Sequence, residues 1–403
     1  MDLTRNKDGI SKRIQMMCER VASAEQSDLY LYNIPISELE GGAQVWVGGR
    51  EMSMFASYSY LGLIGHPRIT EAAIRATERF GTGTHGVRTL AGTLELHRDL
   101  EATIAKFKQA DDAITFSSGY VTNLSTISSL VGRHDFVFGD KLNHASIVDG
   151  CLLSGAQFSR FRHNDMDDLS QRLSNVPLSA SKLVVADAVF SMDGDVVDLP
   201  GLVETCRRHD AWLMIDEAHS VGVLGNRGRG IEEHFGMEGV IDVKMGTLSK
   251  TIPSVGGYVA GSADLIRFLR HQARGYVFSA ALSPAQAASG LEAFKVIEDE
   301  PWRVETLRQN TRLFIEGLKA RGFETLNTQT AIVPILCGSD ERAFQVARES
   351  HRQGVFVLPV VSPAVPQGQA RLRATVTAAH TSEQIEAAMD VFERVGHQVG
   401  VLP

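Results

Sequence analysis

The sequence predicts an α/β fold: a large domain built on a mostly parallel sheet, followed by a smaller C-terminal α/β domain. Two observations predict it. Short apolar runs alternate with helical stretches over residues 61–290, the order that a parallel sheet covered on both faces requires. A long helical pattern then follows Pro284 and leads into a second, shorter set of apolar runs within residues 291–403.

In chain order, residues 1–60 read as an N-terminal arm with a polar, helical start. Within it, "AQVWVGGREMSMFA" is a hairpin turning at Gly48-Gly49. "PRITEAAIRATERF" is a helix with Pro67 in its first turn, where the missing N–H costs nothing. "TLELHRDLEATIAKFKQA" is another, with Thr93 as its N-cap. The apolar runs "DAITFSS", "DFVFGD", "KLVVADAVF", "AWLMIDEAH", "IDVKMGT" and "GGYVAG" are strands, separated by helical stretches such as "LPGLVETCRRHD". "AQAASGLEAFKVIEDEPWRVETLRQNTRLFIEGLKARG" is a helical connector. "AIVPILCG", "GVFVLPVV", "RLRATV" and the helix "SEQIEAAMDVFERVG" make up the smaller domain.

Composition narrows the function. With 43% apolar and 22% charged residues the 403-residue chain is an ordinary soluble type. A formal charge of −8 argues against nucleic acid as partner, because phosphate-backbone affinity rests on clustered cations. Cys18, Cys151, Cys206 and Cys337 are scattered, which gives neither a metal framework nor a disulfide scaffold and points to the cytoplasm. The start "MDLTRNKDGISKRIQMMCER" lacks the apolar stretch of a signal peptide, and no run reaches transmembrane length.

Two strings mislead. "GTGTHG" (Gly81 to Gly86) matches the dinucleotide fingerprint, but a helical pattern precedes it where a strand is required. "DEAH" (Asp216 to His219) matches a helicase box, but the phosphate loop such an enzyme needs is missing.

The informative residues are polar ones at strand ends. "AWLMIDEAH" delivers Asp216 and His219 at the carboxyl end of a strand, the edge at which open α/β sheets bind ligands. "VFSMDGD" places Ser191, "DKLNHASIVDG" places His144, and "FSSGY" places Ser118, Gly119 and Tyr120 at the same kind of position. "GTLSKT" sets Lys250 among small hydroxyl residues instead of on a charged surface. Taken singly, these residues are adequately explained as structural, Lys250 and Asp216 as an ion pair. Jointly they suit one ligand, an aldehyde-bearing pyridine phosphate. A lysine in a restricted site loses its proton readily and bonds covalently to a carbonyl. An aspartate keeps a pyridine nitrogen protonated so that the ring accepts electrons. The amides of "SSGY" at a helix start, with the Thr247 and Ser249 hydroxyls, offer donors to a phosphate, and His144 can stack on the ring.

The strings "SYLGLIGHP", "FGTGTHGVRTLAGT", "SSGYVTNL", "NHASIVDGC", "FRHND", "VFSMDGD", "IDEAHSVGVLGNRGRG", "GTLSKT" and "RLRATVTAAH" occur in this order from about residue 57 to 380. Through them the chain resembles the α-oxoamine synthase family of pyridoxal 5'-phosphate (PLP) enzymes. Within that family, "GTGTHGVRTLAGT", "RFRHND", "FGMEGVID", "GTLSKTIPSVGGYV" and "VGHQVGVLP" most resemble the bacterial serine palmitoyltransferases. The resemblance implies the fold-type I aminotransferase architecture and a homodimer with active sites at the subunit interface. Carried over residue by residue, it makes Lys250 the covalent anchor of PLP and the base. Asp216 becomes the partner of the pyridine nitrogen, with His219 and Ser191 beside the ring hydroxyl. His144 stacks on the ring and touches the substrate carboxylate, which Arg373 receives. Gly119, Tyr120, Thr247 and Ser249 hold the phosphate, and Ser279 adds a hydroxyl from the neighbouring subunit. Ser59 and Val361–Pro363 depart from the family strings at positions that border the substrate pocket in relatives.

The implied reaction is decarboxylative condensation of an L-amino acid, serine, with an acyl-coenzyme A or acyl-carrier-protein thioester, a step of lipid and sphingolipid metabolism. The alternatives are an 8-amino-7-oxononanoate synthase using alanine, an ordinary aminotransferase, and a non-catalytic subunit of the same fold.

Overall fold

The computed structural model describes residues 8–177 and 179–403, so the first seven residues of the expected N-terminal helix lie outside the described residues. The rest of that helix spans Asp8–Gln26. The centre is a seven-stranded sheet, with strands β1 (Asp112–Phe116), β2 (Phe136–Asp140), β3 (Gln157–Phe161), β4 (Lys182–Asp187), β5 (Trp212–Asp216), β6 (Val243–Thr247) and β7 (Gly257–Gly261). Their spatial order is β1-β7-β6-β5-β4-β2-β3. Pairs from β6 through β3 are parallel, whereas β7 runs antiparallel to both β6 and β1.

Side-chain alternation divides the sheet into two buried faces. Leu213 and Ile215 of β5, with Val184 and Ala186 of β4, face one core together with helices Met166–Ser174 and Leu199–Arg208. Met214, Leu183 and Val185 face the other, against Ile127 and Ile147 of helices Gly119–Leu130 and Ala145–Ser154. This is the period-2 pattern of strands buried on both sides.

The six expected strands form as read, and β3 is a seventh. Its residues Gln157, Ser159 and Arg160 give no apolar run, because it is the edge strand and needs only Phe161 fully buried. The hairpin forms between Gln44–Val47 and Arg50–Met54, turning on Gly48 and Gly49 at φ 57° and 77°, backbone that glycine adopts without strain. Its second strand also pairs in parallel with Val355–Phe356, so the arm is stitched to the C-terminal third of the chain.

Three local expectations change. Thr93 does not cap the helix Glu95–Phe107; its hydroxyl donates to the Arg88 carbonyl, and His97 Nδ1 accepts the Leu94 N–H instead. The connector is two helices, Pro284–Asp299 and Trp302–Ala320, divided at Pro301. "GVFVLPVV" contributes to two sheets, its second part Leu358–Val360 joining Ala370–Thr375 and Ile332–Gly338. Among the described residues, no helix is long and apolar enough to cross a membrane.

Candidate active site

Parallel strands β2, β4, β5 and β6 bring their carboxyl ends to one edge, and the polar residues gather there. Asp187 and Asp216 end β4 and β5 as direct register partners, both buried. Asp216 Oδ2 accepts from Asn123 Nδ2 at 2.7 Å, and Oδ1 accepts from the Ala218 N–H at 2.9 Å. Asp187 accepts the His144 N–H at 2.7 Å. Burial first, then the charge of Asp216, raises the Asp187 pKa well above its ordinary value.

Lys250 lies on the loop 248–256 between β6 and β7. Both feet of this loop are fixed: the Leu248 N–H donates to the Gly256 carbonyl, and Thr247 Oγ1 donates to the same oxygen at 3.1 Å. Farther along, Thr251 Oγ1 donates to the Val221 carbonyl and Ser254 Oγ to the Gln286 carbonyl. The amine is thereby aimed at His219 Nε2, 2.8 Å away. Burial lowers the Lys250 pKa to about 8, against the upward pull of Asp216 and Asp187. His219 is pushed well below the imidazole range by burial, then by Lys250 and Arg373. Neutral His219 accepts from Lys250 on one nitrogen and bonds Tyr60 Oη on the other at 2.6 Å. Burial raises the Tyr60 pKa to about 12, so the phenol stays protonated.

The phosphate-type donors sit across the cleft. Ser118 is the N-cap of helix Gly119–Leu130, its Oγ accepting from the Val121 N–H at 3.1 Å. That leaves the Gly119 and Tyr120 amides at the helix start for an anion. A Cβ on Gly119 would lie 3.0 Å from Thr247 Oγ1, which packs this turn against β6. Thr247 and Ser249 hydroxyls bond each other at 2.9 Å. Tyr120 Oη pairs with Asp149, and its ring stands edge-on to His144 at 6.4 Å between centroids. His144 caps the helix Ala145–Ser154, its Nδ1 within 2.7 Å of Ser146 Oγ; burial lowers its pKa, opposed by Asp216.

On the far side, Arg373 Nε donates to the Ser191 carbonyl at 2.6 Å and Nη1 to Thr375 Oγ1 at 3.3 Å. Its Nη2 is buried without a partner, and its guanidinium stacks 4.8 Å over the Tyr58 ring. Lys250 Nζ lies 5.7 Å from the same ring. Ser59 is buried, its Oγ unpartnered, in the wall of a cleft of about 540 Å³ that also contains Lys250 and Ser249.

Every sequence-predicted residue except Ser279 thus belongs to one constellation. Ser279 follows the short helix Arg274–Val277, half-buried, and no hydrogen bond among the described residues joins it to the others. Reading the sequence passed over Asp187, Asn123, Tyr58 and Tyr60. Asp187 carried the same signal as Asp216, an acidic residue closing an apolar run in "KLVVAD".

The residues fit PLP. A paired acidic site at the strand ends calls for a protonated ring nitrogen, and a lysine of lowered basicity stands beside it. Arg373 holds a buried donor free for a carboxylate.

A sequence model of the class I and II aminotransferases matches residues 50–392. The 8-amino-7-oxononanoate synthase of Symbiobacterium thermophilum is 42% identical over 96% of this chain and 98% of its own. The serine palmitoyltransferase of Sphingobacterium spiritivorum is also 42% identical, over 98% and 99%. Among solved structures, a serine palmitoyltransferase variant from S. paucimobilis with a bound PLP–myriocin aldimine superposes with TM-score 0.95 at 34% identity. That match covers 98% of this chain and 100% of the other.

Proposed function

The chain belongs to the class I and II aminotransferase family, and from that premise we propose that it condenses L-serine with an acyl thioester. It is a PLP-dependent α-oxoamine synthase, an acyltransferase, of the fold-type I architecture. PLP supplies an electron sink that stabilises negative charge on the amino acid's α-carbon.

The chain's own residues supply the rest. Lys250 would hold PLP covalently and, once free, take the α-proton; a pKa of about 8 suits a base working near neutrality. Asp216, fixed by Asn123 and the Ala218 amide, would face the ring nitrogen, and His219 and Ser191 the ring hydroxyl. His144 would stack on the ring. The Gly119 and Tyr120 amides, Thr247 and Ser249 would hold the phosphate. Arg373 would receive the substrate carboxylate through Nη2, its plane set by Ser191 and Tyr58. The α-carbon then bonds to the acyl carbon as the C–S bond breaks and the thiolate takes a proton. The carboxylate leaves as CO2, and a proton replaces it on the α-carbon.

The observation that carries this proposal is the Lys250 amine placed at once against a neutral imidazole and a buried acidic pair. Serine as the amino acid rests on the serine palmitoyltransferase relative and structural neighbour. A second reading has equal sequence identity behind it, alanine with a pimeloyl thioester, as for an 8-amino-7-oxononanoate synthase. We also propose a homodimer in which Ser279 reaches the phosphate held by the neighbouring copy.

The test is a titration of the PLP-loaded protein with serine, alanine, glycine and threonine in turn. The expected outcome is an absorbance change with serine, then release of CO2 and free thiol once thioester is added. Amino transfer without CO2 identifies an ordinary aminotransferase. Absence of any borohydride-trapped adduct on Lys250 sinks the assignment.

A further inference from the structure

The string "FRHND" takes no part in the reaction proposed above, yet its histidine is held between two acids. His163 Nδ1 lies 3.1 and 3.2 Å from the two oxygens of Asp140, which ends β2, and Nε2 lies 2.9 Å from Asp195 Oδ2. A carboxylate only accepts, so both ring nitrogens donate and the ring is an imidazolium. Burial pulls its pKa down, but the two carboxylates outweigh burial and raise it to about 10. The ring also stands perpendicular to that of Phe190, 4.4 Å away between centroids.

Asp195 closes the turn 190–195 that carries Ser191. The Phe190 N–H donates to the Asp195 carbonyl, and the Gly194 N–H donates to the Phe190 carbonyl. The C-terminal third of the chain grips the same turn from its other side. Arg371 Nη1 donates to Asp193 Oδ1 at 2.7 Å, Arg373 Nε to the Ser191 carbonyl at 2.6 Å, and Thr330 Oγ1 to the Gly194 carbonyl at 3.0 Å. We propose that His163 is a positioning residue for the amino-acid substrate: by bridging Asp140 and Asp195 it seats the turn whose Ser191 carbonyl aims the Arg373 guanidinium at the carboxylate. The proposal rests on the role proposed above for Arg373 and names what sets that side chain's direction.

The two acids are not equivalent. Asp140 also accepts from the N–H groups of Leu142 and Asn164, each at 2.8 Å, and stays fixed without the histidine. Asp195 Oδ1 is buried without a partner among the described residues, which leaves His163 as the tether of that carboxylate. Loss of the imidazolium therefore frees the side toward Ser191 and Arg373. A displacement on the order of 1 Å is enough to spoil a two-pronged contact between guanidinium and carboxylate.

The test compares the full-length PLP-loaded protein with its His163→Gln and Asp195→Asn variants. Absorbance titration with L-serine reads amino-acid binding without turnover, and ethanolamine, which is serine without its carboxylate, is the control. Both variants are expected to weaken serine binding by about tenfold, the worth of one charge-assisted hydrogen bond, and to weaken ethanolamine binding far less. In turnover the KM for serine should rise by a similar factor while kcat and the thioester KM stay near wild type, because the contact is the same in ground and transition states. The double variant is expected to lose no more than either single one, since both act through one link. If alanine is the amino acid that binds, alanine against ethylamine makes the same comparison. NMR of isotope-labelled histidine should show both His163 ring nitrogens protonated at neutral pH. A bare ring nitrogen, equal losses for serine and ethanolamine, additive losses in the double variant, or a lowered melting temperature with serine binding intact overturns the proposal. Should His163→Gln fail to fold, the comparison made with Asp195→Asn decides. A carboxylate-specific loss in a protein that condenses no thioester defeats the proposed reaction and leaves the His163 assignment standing.

Discussion

Lys250 sits among groups that pull its proton in opposite directions. Burial disfavours the ammonium, and the Asp216 and Asp187 carboxylates favour it; burial wins and leaves the pKa at about 8. Only the neutral amine attacks an aldehyde. Capture of PLP by cofactor-free protein should therefore accelerate about tenfold per pH unit below that value and level off above it. Stability carries the matching sign. The folded pKa is depressed, so between about 8 and the ordinary 10.5 the unfolded chain binds the extra proton and the folded state gains as pH rises. A Lys250→Met variant should lose that gain, so that the difference in denaturation midpoint from the wild type changes with pH only across this window. The lysine and its partners were legible because each closes an apolar run or stands among small residues. Tyr60 and Asn123 were not: their contacts to His219 and Asp216 span 159 and 93 positions, and no local pattern announces such distances.

At the scale of elements, the loop 81–93 that resembles a dinucleotide fingerprint is held by charge. Arg88 Nη1 and Nη2 lie 2.8 and 3.1 Å from the two oxygens of Glu101, and the Thr115 N–H of β1 donates to the same carboxylate. Both ions are buried. Arg88→Met should cost about 3 kcal/mol in chemical denaturation, because the cations then left beside Glu101 among the described residues, Arg98 and Arg270, are more distant, and should open the loop to proteolysis. This pair was invisible in the sequence, where an Arg and a Glu thirteen positions apart carry no periodic signal. The strands were visible for the opposite reason. Burial on both faces forces a continuous apolar run, as in "KLVVAD", whereas β3, relieved of one neighbour at the edge, could be polar and went unread. The division of the connector at Pro301 left a clear mark in the string "EDEPW", which the helical period on either side overrode.

The whole molecule is joined end to end. The arm's strand Arg50–Met54 pairs with Val355–Phe356, the Thr375 N–H donates to the Phe55 carbonyl, and Arg373 reaches across to Ser191. The residues proposed to receive the carboxylate and to hold PLP are thus drawn from the C-terminal third and the middle of the chain. If two copies also share their sites, as proposed for Ser279, then Lys250→Ala and Ser279→Trp are each inactive alone. Mixed and allowed to exchange subunits, they should recover about a quarter of wild-type turnover, since half the dimers are mixed and carry one intact site. No recovery would place Ser279 within its own subunit's site.

The return between β6 and β7 has one last implication. The segment that bears the amine is held at both feet and tied down again at Thr251 and Ser254. Were Lys250 to trade one carbonyl partner for another as proposed, torsions along its methylenes would supply the movement. Anyone grafting this amine into another scaffold would have to carry both strands with it.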